Sequence, residues 1–201
     1  EQHSALLGVL DVEQEGGNIN VAAAMRLVLF TGLRQGELWR LRWDDLDFQR
    51  GFILIREPKG GKAQSVPMNE SARALLKAHP KTPGSPFVFP GRGGKQRTTA
   101  AETLRRIREA AGLPKDFRPL HGLRHVYASM LASSGKVDLY TLQKLLTHKS
   151  PTMTQRYAHL RDEALKRAAG VADDILCAAG AEGNAKAGKV VNIGTRRKNA
   201  D

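Results

Sequence analysis

Along most of the chain, apolar residues recur at the three-and-four spacing of helices. Residues 3–14 carry Leu6, Leu7 and Leu10 on one face, and the run Glu15-Gly-Gly-Asn-Ile-Asn20 interrupts the pattern, with Asn20 suited to cap the next helix. Val21 to Phe30 is apolar on every side, which predicts a buried helix. Gly32 ends it, and another helix begins near Arg34 with Leu38 and Leu41 facing inward. The period then changes. Phe52-Ile-Leu-Ile55 and Ser65-Val-Pro67 read as two short strands around the glycine-rich turn Glu57-Pro-Lys-Gly-Gly-Lys62, a hairpin with Lys59 at its mouth.

Helical spacing returns after Asn69, a cap for a helix through Ala78. Phe87-Val-Phe89 is a short extended piece, and residues 91–97 form a flexible basic loop. Thr99-Ala-Ala-Glu102 has the form of a capping box opening a helix to about Ala111, and residues 113–119 connect onward. Further helices are expected at 121–134, 138–147, 151–159 and 162–178. Ser150 and Pro151 suit the cap and first position of the third of these, which would place Tyr157 two turns into it. Residues 1–178 are therefore expected to make one domain, mainly α with a small antiparallel β-sheet (α+β). Residues 179–201, rich in Gly, Ala, Asn and Lys, are expected to be a disordered basic tail, ordered only by a partner.

Charge narrows the function. Lys and Arg total 32 against 20 acidic residues, a formal net charge of +12. That excess suits a polyanion, and an aromatic content of only 5% makes a poor stacking platform for single strands, which favours double-stranded DNA. No apolar run is long enough to cross a membrane, no signal peptide opens the sequence, and Cys177 is the lone cysteine. A cytoplasmic, nucleoid-associated protein is expected.

The chemistry concentrates between His121 and Tyr157. His121 and Arg124 lie three apart and share a helical face, and His148 precedes Tyr157 by nine positions. Arg34 follows a buried helix and a glycine turn, where a guanidinium needs a partner, and Glu37 stands one turn on to orient it. Two arginines converging on one phosphodiester would neutralise the charge that builds on its oxygens during displacement. A free phenol titrates near pH 10, so a nucleophilic Tyr157 would need nearby cations to stabilise its anion. His121 and His125 also have a zinc-compatible spacing. Gly122 stands where a metalloprotease has glutamate, however, and neither cysteine nor an acidic cluster supplies a further ligand, so no metal is assigned.

Five segments together resemble the catalytic domain of the tyrosine recombinases, the phage integrase family. They are Thr31-Gly-Leu-Arg34-Gln-Gly-Glu37-Leu, the hairpin Lys59-Gly-Gly-Lys62 with Val66-Pro67, His121-Gly-Leu-Arg124-His125, Leu145-Leu-Thr-His148-Lys-Ser, and Thr154-Gln-Arg-Tyr157. They occur in the family's order over roughly residues 5 to 175, with Gly36 and Gly122 at positions where the family often has Ser and Asp.

The resemblance implies the family's fold and a set of roles. Tyr157 would attack a DNA phosphodiester and form a 3′-phosphotyrosyl link, while Arg34 and Arg124 clamp the phosphate. Lys59 would protonate the leaving 5′-oxygen, His121 would assist proton transfer as acid or base, His148 would hydrogen-bond the phosphate, and Glu37 would orient the site. Strand exchange through a Holliday junction would need neither ATP nor any other cofactor, and four protomers would act together. Lys62, Arg92, Lys95 and Arg97 are further candidates for phosphate contact. Because the family usually carries an N-terminal core-binding domain, this chain is expected to be a piece of a longer protein. Type IB topoisomerase-like strand relaxation, or DNA binding without catalysis, are the alternatives.

Overall fold

The computed structural model describes residues 2–56 and 62–171. It is mainly helical, with one small antiparallel sheet. The first helices are α1 (Gln2–Gly16), α2 (Ile19–Thr31) and α3 (Gln35–Arg40). A short 3-10 turn at Trp43–Asp45 leads into β1 (Leu46–Asp47), β2 (Phe52–Ile55) and β3 (Gln64–Pro67). Then come α4 (Glu70–Ala78), a second 3-10 turn (Arg92–Gly94), α5 (Ala101–Ala110), α6 (Pro119–Ser133), α7 (Leu139–Leu145) and α8 (Thr152–Gln155). Residues 158–171 continue as helix α9.

Helix α2 is the hub, packing against α1, α4 and α6. Val21, Ala22, Ala23, Ala24, Met25, Leu27 and Val28 are all buried, which is why its sequence shows no polar face. Its cap is Asn18 rather than Asn20: Asn18 Oδ1 accepts from Val21 N–H at 3.2 Å. The Asn20 amide oxygen instead lies 3.0 Å from His79 Nε2, a buried ring that is also 3.1 Å from the Val88 carbonyl. At the other end Gly32 adopts φ 67° and returns its N–H to the Val28 carbonyl at 2.7 Å. A Cβ there would lie 2.5 Å from the Tyr127 ring, so glycine serves both the turn and the close approach of α6.

The sheet has the order β1-β2-β3, with Ile53 opposite both Leu46 and Val66. Ile53 and Ile55 face the core while Phe52 and Leu54 face outward, as strand alternation requires. The two-residue strand β1 is too short to leave a periodic signal in the sequence. Residues 57–61 of the hairpin turn, Lys59 among them, lie outside the described residues, as do Cys177 and the tail 179–201.

Two further caps differ from expectation. Helix α5 starts from Ala100 without a side-chain cap, and Glu102 pairs with Arg105 on the exposed face instead of closing a capping box. Helix α8 is a single short turn, so Tyr157 falls in the turn after it rather than two turns in.

The main core gathers α1, α2, the sheet, α4, α5 and the start of α6. A second cluster, Ala128, Ala132, Leu142 and Leu146, lies along the far end of α6 and under the ring of Tyr157. The candidate site opens where these two cores meet.

Candidate active site

A cleft of about 1000 Å³ is lined by Arg34, His121, Arg124, His125, His148 and Tyr157. Three separate segments supply these residues: the α2–α3 junction, α6, and the stretch from the end of α7 to Tyr157.

Arg34 immediately precedes α3. Its backbone N–H donates to Glu37 Oε2 at 2.8 Å, and its Nη1 donates to Glu37 Oε1 at 2.9 Å. Glu37 therefore caps the helix and holds the guanidinium with a side chain only 1% exposed, against 23% for Arg34. The same guanidinium reaches across the cleft, where Nη1 donates to Thr147 Oγ1 at 2.6 Å and Nη2 to the Thr147 carbonyl at 3.1 Å. Thr147 has φ 50°, a backbone conformation that costs a β-branched residue energy. Its position just past the C-terminus of α7 aims both oxygens at Arg34.

Arg124 is buried, at 7% exposure, and donates to the carbonyls of Gly32 and Leu146. These are carbonyls left open where α2 and α7 end. The arginine thus ties α6 to both helix ends and fixes the width of the cleft. Burial, followed by the nearby Arg34, lowers its pKa to about 10, which still leaves it charged at neutral pH.

His148 follows Thr147, and its Nδ1 lies 2.8 Å from Oγ1 of Thr154, the buried residue of α8. Burial first, then Arg124 and Arg34, depress its pKa to about 4, so the ring is neutral. On α6 the rings of His121 and His125 meet edge to face, with their Nε2 atoms 2.8 Å apart. His125 Nδ1 lies 2.6 Å from Tyr157 Oη. Both rings are held below the ordinary histidine range, in each case mainly by burial. For His121 the next cause is Arg118, and for His125 it is His121.

Tyr157 is itself buried, its ring packed on the second core and its hydroxyl directed to His125. Burial raises the phenol's pKa, while Arg156 and Arg124 pull it the other way. The cations expected to favour the phenolate are present, but burial outweighs them and the phenol keeps its proton. An incoming phosphate would find a positive, partly dehydrated cavity with a protonated hydroxyl at its wall.

The secondary candidates do not line this cleft. Lys62, Arg92 and Lys95 are exposed. Arg97 is spoken for structurally: Nη2 donates to the Pro90 carbonyl at 2.7 Å, and its guanidinium lies over the Trp39 ring. Arg118 and Arg156 line the cleft instead, together with Arg108 and Lys115. Among the described residues no group of three or more His, Cys, Asp or Glu gathers in a way that could hold a metal ion. Sequence reasoning gives His125 no catalytic role and passes over Thr147. A signal for His125 exists, because it shares a face with His121 four residues earlier. Nothing local to Thr147 announces that it holds an arginine 113 residues away.

The phage integrase family matches residues 1–164. Tyrosine recombinase XerC of Xanthomonas campestris pv. campestris (strain B100) is 41% identical over 145 residues, covering 69% of this chain and 44% of that protein. The chain thus spans less than half the length of that relative. XerH site-specific recombinase, in a post-cleavage complex with palindromic difH substrate, superposes with a TM-score of 0.65 at 26% identity over 86% of this chain and 52% of that one. The catalytic domain of bacteriophage HP1 integrase shares the fold, with a TM-score of 0.60 at 24% identity over 83% of this chain and 90% of that domain. With four of the five matched segments drawn together around one cleft, the chain belongs to the phage integrase family, the tyrosine recombinases.

Proposed function

We propose that this chain is the catalytic domain of a site-specific recombinase that breaks and rejoins double-stranded DNA, with residues 1–178 as the working unit. One observation carries the reading: a buried tyrosine hydroxyl faces a cleft in which two arginines are fixed by hydrogen bonds to the surrounding fold.

Tyr157 Oη attacks the phosphorus of a DNA phosphodiester, forming the phosphotyrosyl bond as the bond to the 5′-oxygen breaks. Arg34 and Arg124 face the two nonbridging oxygens, where negative charge grows in the transition state. Their positions are set beforehand by Glu37, Thr147, Gly32 and Leu146, so little reorganisation accompanies the reaction. His148 donates to the same phosphate, and Lys59 delivers a proton to the departing 5′-oxygen. His121 assists proton transfer. Because the energy of the broken bond is kept in the phosphotyrosine, a second 5′-hydroxyl can reverse the step on another strand without ATP. Recombination through a Holliday junction then requires four protomers on two DNA segments. Lys62, Arg92 and Lys95, with Arg118 and Arg156 at the cleft, supply contacts to flanking phosphates.

The test is covalent trapping in the full-length protein carrying this domain. The protein is mixed with DNA at low salt in EDTA, quenched with detergent and compared with its Tyr157→Phe variant. A protein–DNA adduct in the parent, lost in the variant, is expected. Its absence from the parent on DNA flanking its own gene would leave a DNA-binding module in place of an enzyme.

A further inference from the structure

Strand cleavage leaves one proton unassigned, the one on the Tyr157 hydroxyl, which must depart as the oxygen bonds to phosphorus. The phenol is buried and uncharged, so this proton needs an acceptor already in place. Among the described residues the phenol's recorded hydrogen-bond partner is His125 Nδ1, at 2.6 Å. Neither arginine can accept a proton, and the His148 Nδ1 is engaged with Thr154.

We propose that His125 takes the phenolic proton of Tyr157 during attack and passes its own Nε2 proton to His121. This rests on the strand-cleavage reading above.

The relay requires one set of tautomers: the Tyr157 phenol donates, His125 Nδ1 accepts it at 2.6 Å, and the single proton of His125 sits on Nε2. That proton points at His121 Nε2, 2.8 Å away, which must then be unprotonated, leaving the His121 proton on Nδ1. Tyrosine, His125 and His121 form a continuous chain with one direction of transfer. The chain ends in solvent, since His121 is exposed.

The step balances. As the Tyr157 oxygen bonds to phosphorus, its proton moves to His125 Nδ1 and the His125 Nε2 proton moves to His121. His125 ends neutral in its other tautomer and His121 ends as imidazolium. The 5′-oxygen leaves with the electron pair of its broken bond and takes a proton from the general acid. When the strand is resealed each transfer runs backward.

The charged groups facing the two rings are Arg118 and Arg124 from α6 and its approach and Arg156 beside Tyr157, with the neutral His148 ring at the end of α7 as the further titratable neighbour. Without DNA they disfavour imidazolium. A phosphate in the cleft offsets them, so the relay becomes competent only when substrate is bound. Two histidines four apart on α6 achieve this alignment because that spacing stacks them on one face.

The test has two arms. In the first, 15N spectra of the histidine rings of this chain, which need no DNA, should show His125 protonated at Nε2 and bare at Nδ1. The Nδ1 resonance should shift in Tyr157→Phe. A proton on His125 Nδ1 in the parent overturns the relay. In the second, single-turnover cleavage is compared between the full-length protein and its His125→Gln variant, with folding of the variant checked by DNA binding. The substrates carry either the natural 5′-oxygen or a 5′-sulfur leaving group, which departs without a proton. His125→Gln should slow cleavage of both by about 10²–10⁴-fold, the usual contribution of a positioned base. Parental rates in His125→Gln, with Tyr157→Phe inactive, overturn the relay alone. A defect that vanishes with sulfur assigns His125 to the leaving group and also overturns it. Cleavage by Tyr157→Phe would instead sink the underlying strand-cleavage reading.

Discussion

At the scale of single residues, the site is organised by hydrogen bonds made before any substrate arrives. Glu37 is the clearest case, because one buried carboxylate holds both the Arg34 backbone and its guanidinium. Glu37→Ala should lower unfolding stability by about 1–3 kcal/mol, the usual cost of leaving buried partners unmet, as read by urea denaturation, and it should also slow strand cleavage. Arg124→Lys keeps the charge but cannot reach the Gly32 and Leu146 carbonyls together. Its cleavage rate should fall by more than about 100-fold at saturating DNA, the order expected on losing one oxyanion-stabilising donor, in a single-turnover assay. His148 gives the pH dependence. Its pKa in the fold is about 4, below the ordinary 6.5, so above pH 6.5 the ring is neutral whether folded or not. Between pH 6.5 and about 4 the unfolded chain takes up a proton that the fold resists, so stability falls as pH drops through that window. A bound phosphate reverses the preference, and calorimetry in buffers of different ionisation enthalpy should detect proton uptake on DNA binding near pH 6.

At the scale of elements, the helix ends are the working parts. Gly32 ends α2 in a left-handed conformation against the Tyr127 ring, and its carbonyl receives Arg124. Gly32→Ala meets both backbone strain and that ring, and should cost about 1–3 kcal/mol in a urea titration. Much of this level is legible in the sequence. The apolar run of α2, the turn at Gly32, the hairpin strands and α6 follow directly from pattern and turn chemistry. The misplacements have physical causes. Asn18 and Asn20 are equally able caps, and the contact with His79 that settles the choice is long-range. The Thr99–Glu102 pattern is a sound capping box locally, yet Arg105 three residues further draws Glu102 away. Sequence pattern places Tyr157 two turns into a helix because nothing local shows that α8 stops at Gln155.

At the scale of the whole molecule, two cores meet at a basic cleft whose walls come from distant segments. The motifs that line it are visible in the sequence because they cluster by residue type. Their convergence is visible there only through the family resemblance, since no periodicity reports that Arg34 meets Thr147. A net charge of +12 favours a polyanionic partner. Binding should therefore weaken steeply as salt is raised from about 50 to 200 mM, measured by fluorescence anisotropy on a labelled duplex. The proposed activity turns on one covalent bond, and the most direct measurement identifies the residue that forms it. Trapped protein–DNA adduct is digested with nuclease and trypsin, and the linked peptide is sequenced by mass spectrometry. Trypsin cuts after Arg156 and Arg161, so a nucleotide 3′-phosphate carried on Tyr157 within residues 157–161 is the predicted result. A nucleotide on Tyr127, Tyr140 or any residue other than Tyr157 would contradict it.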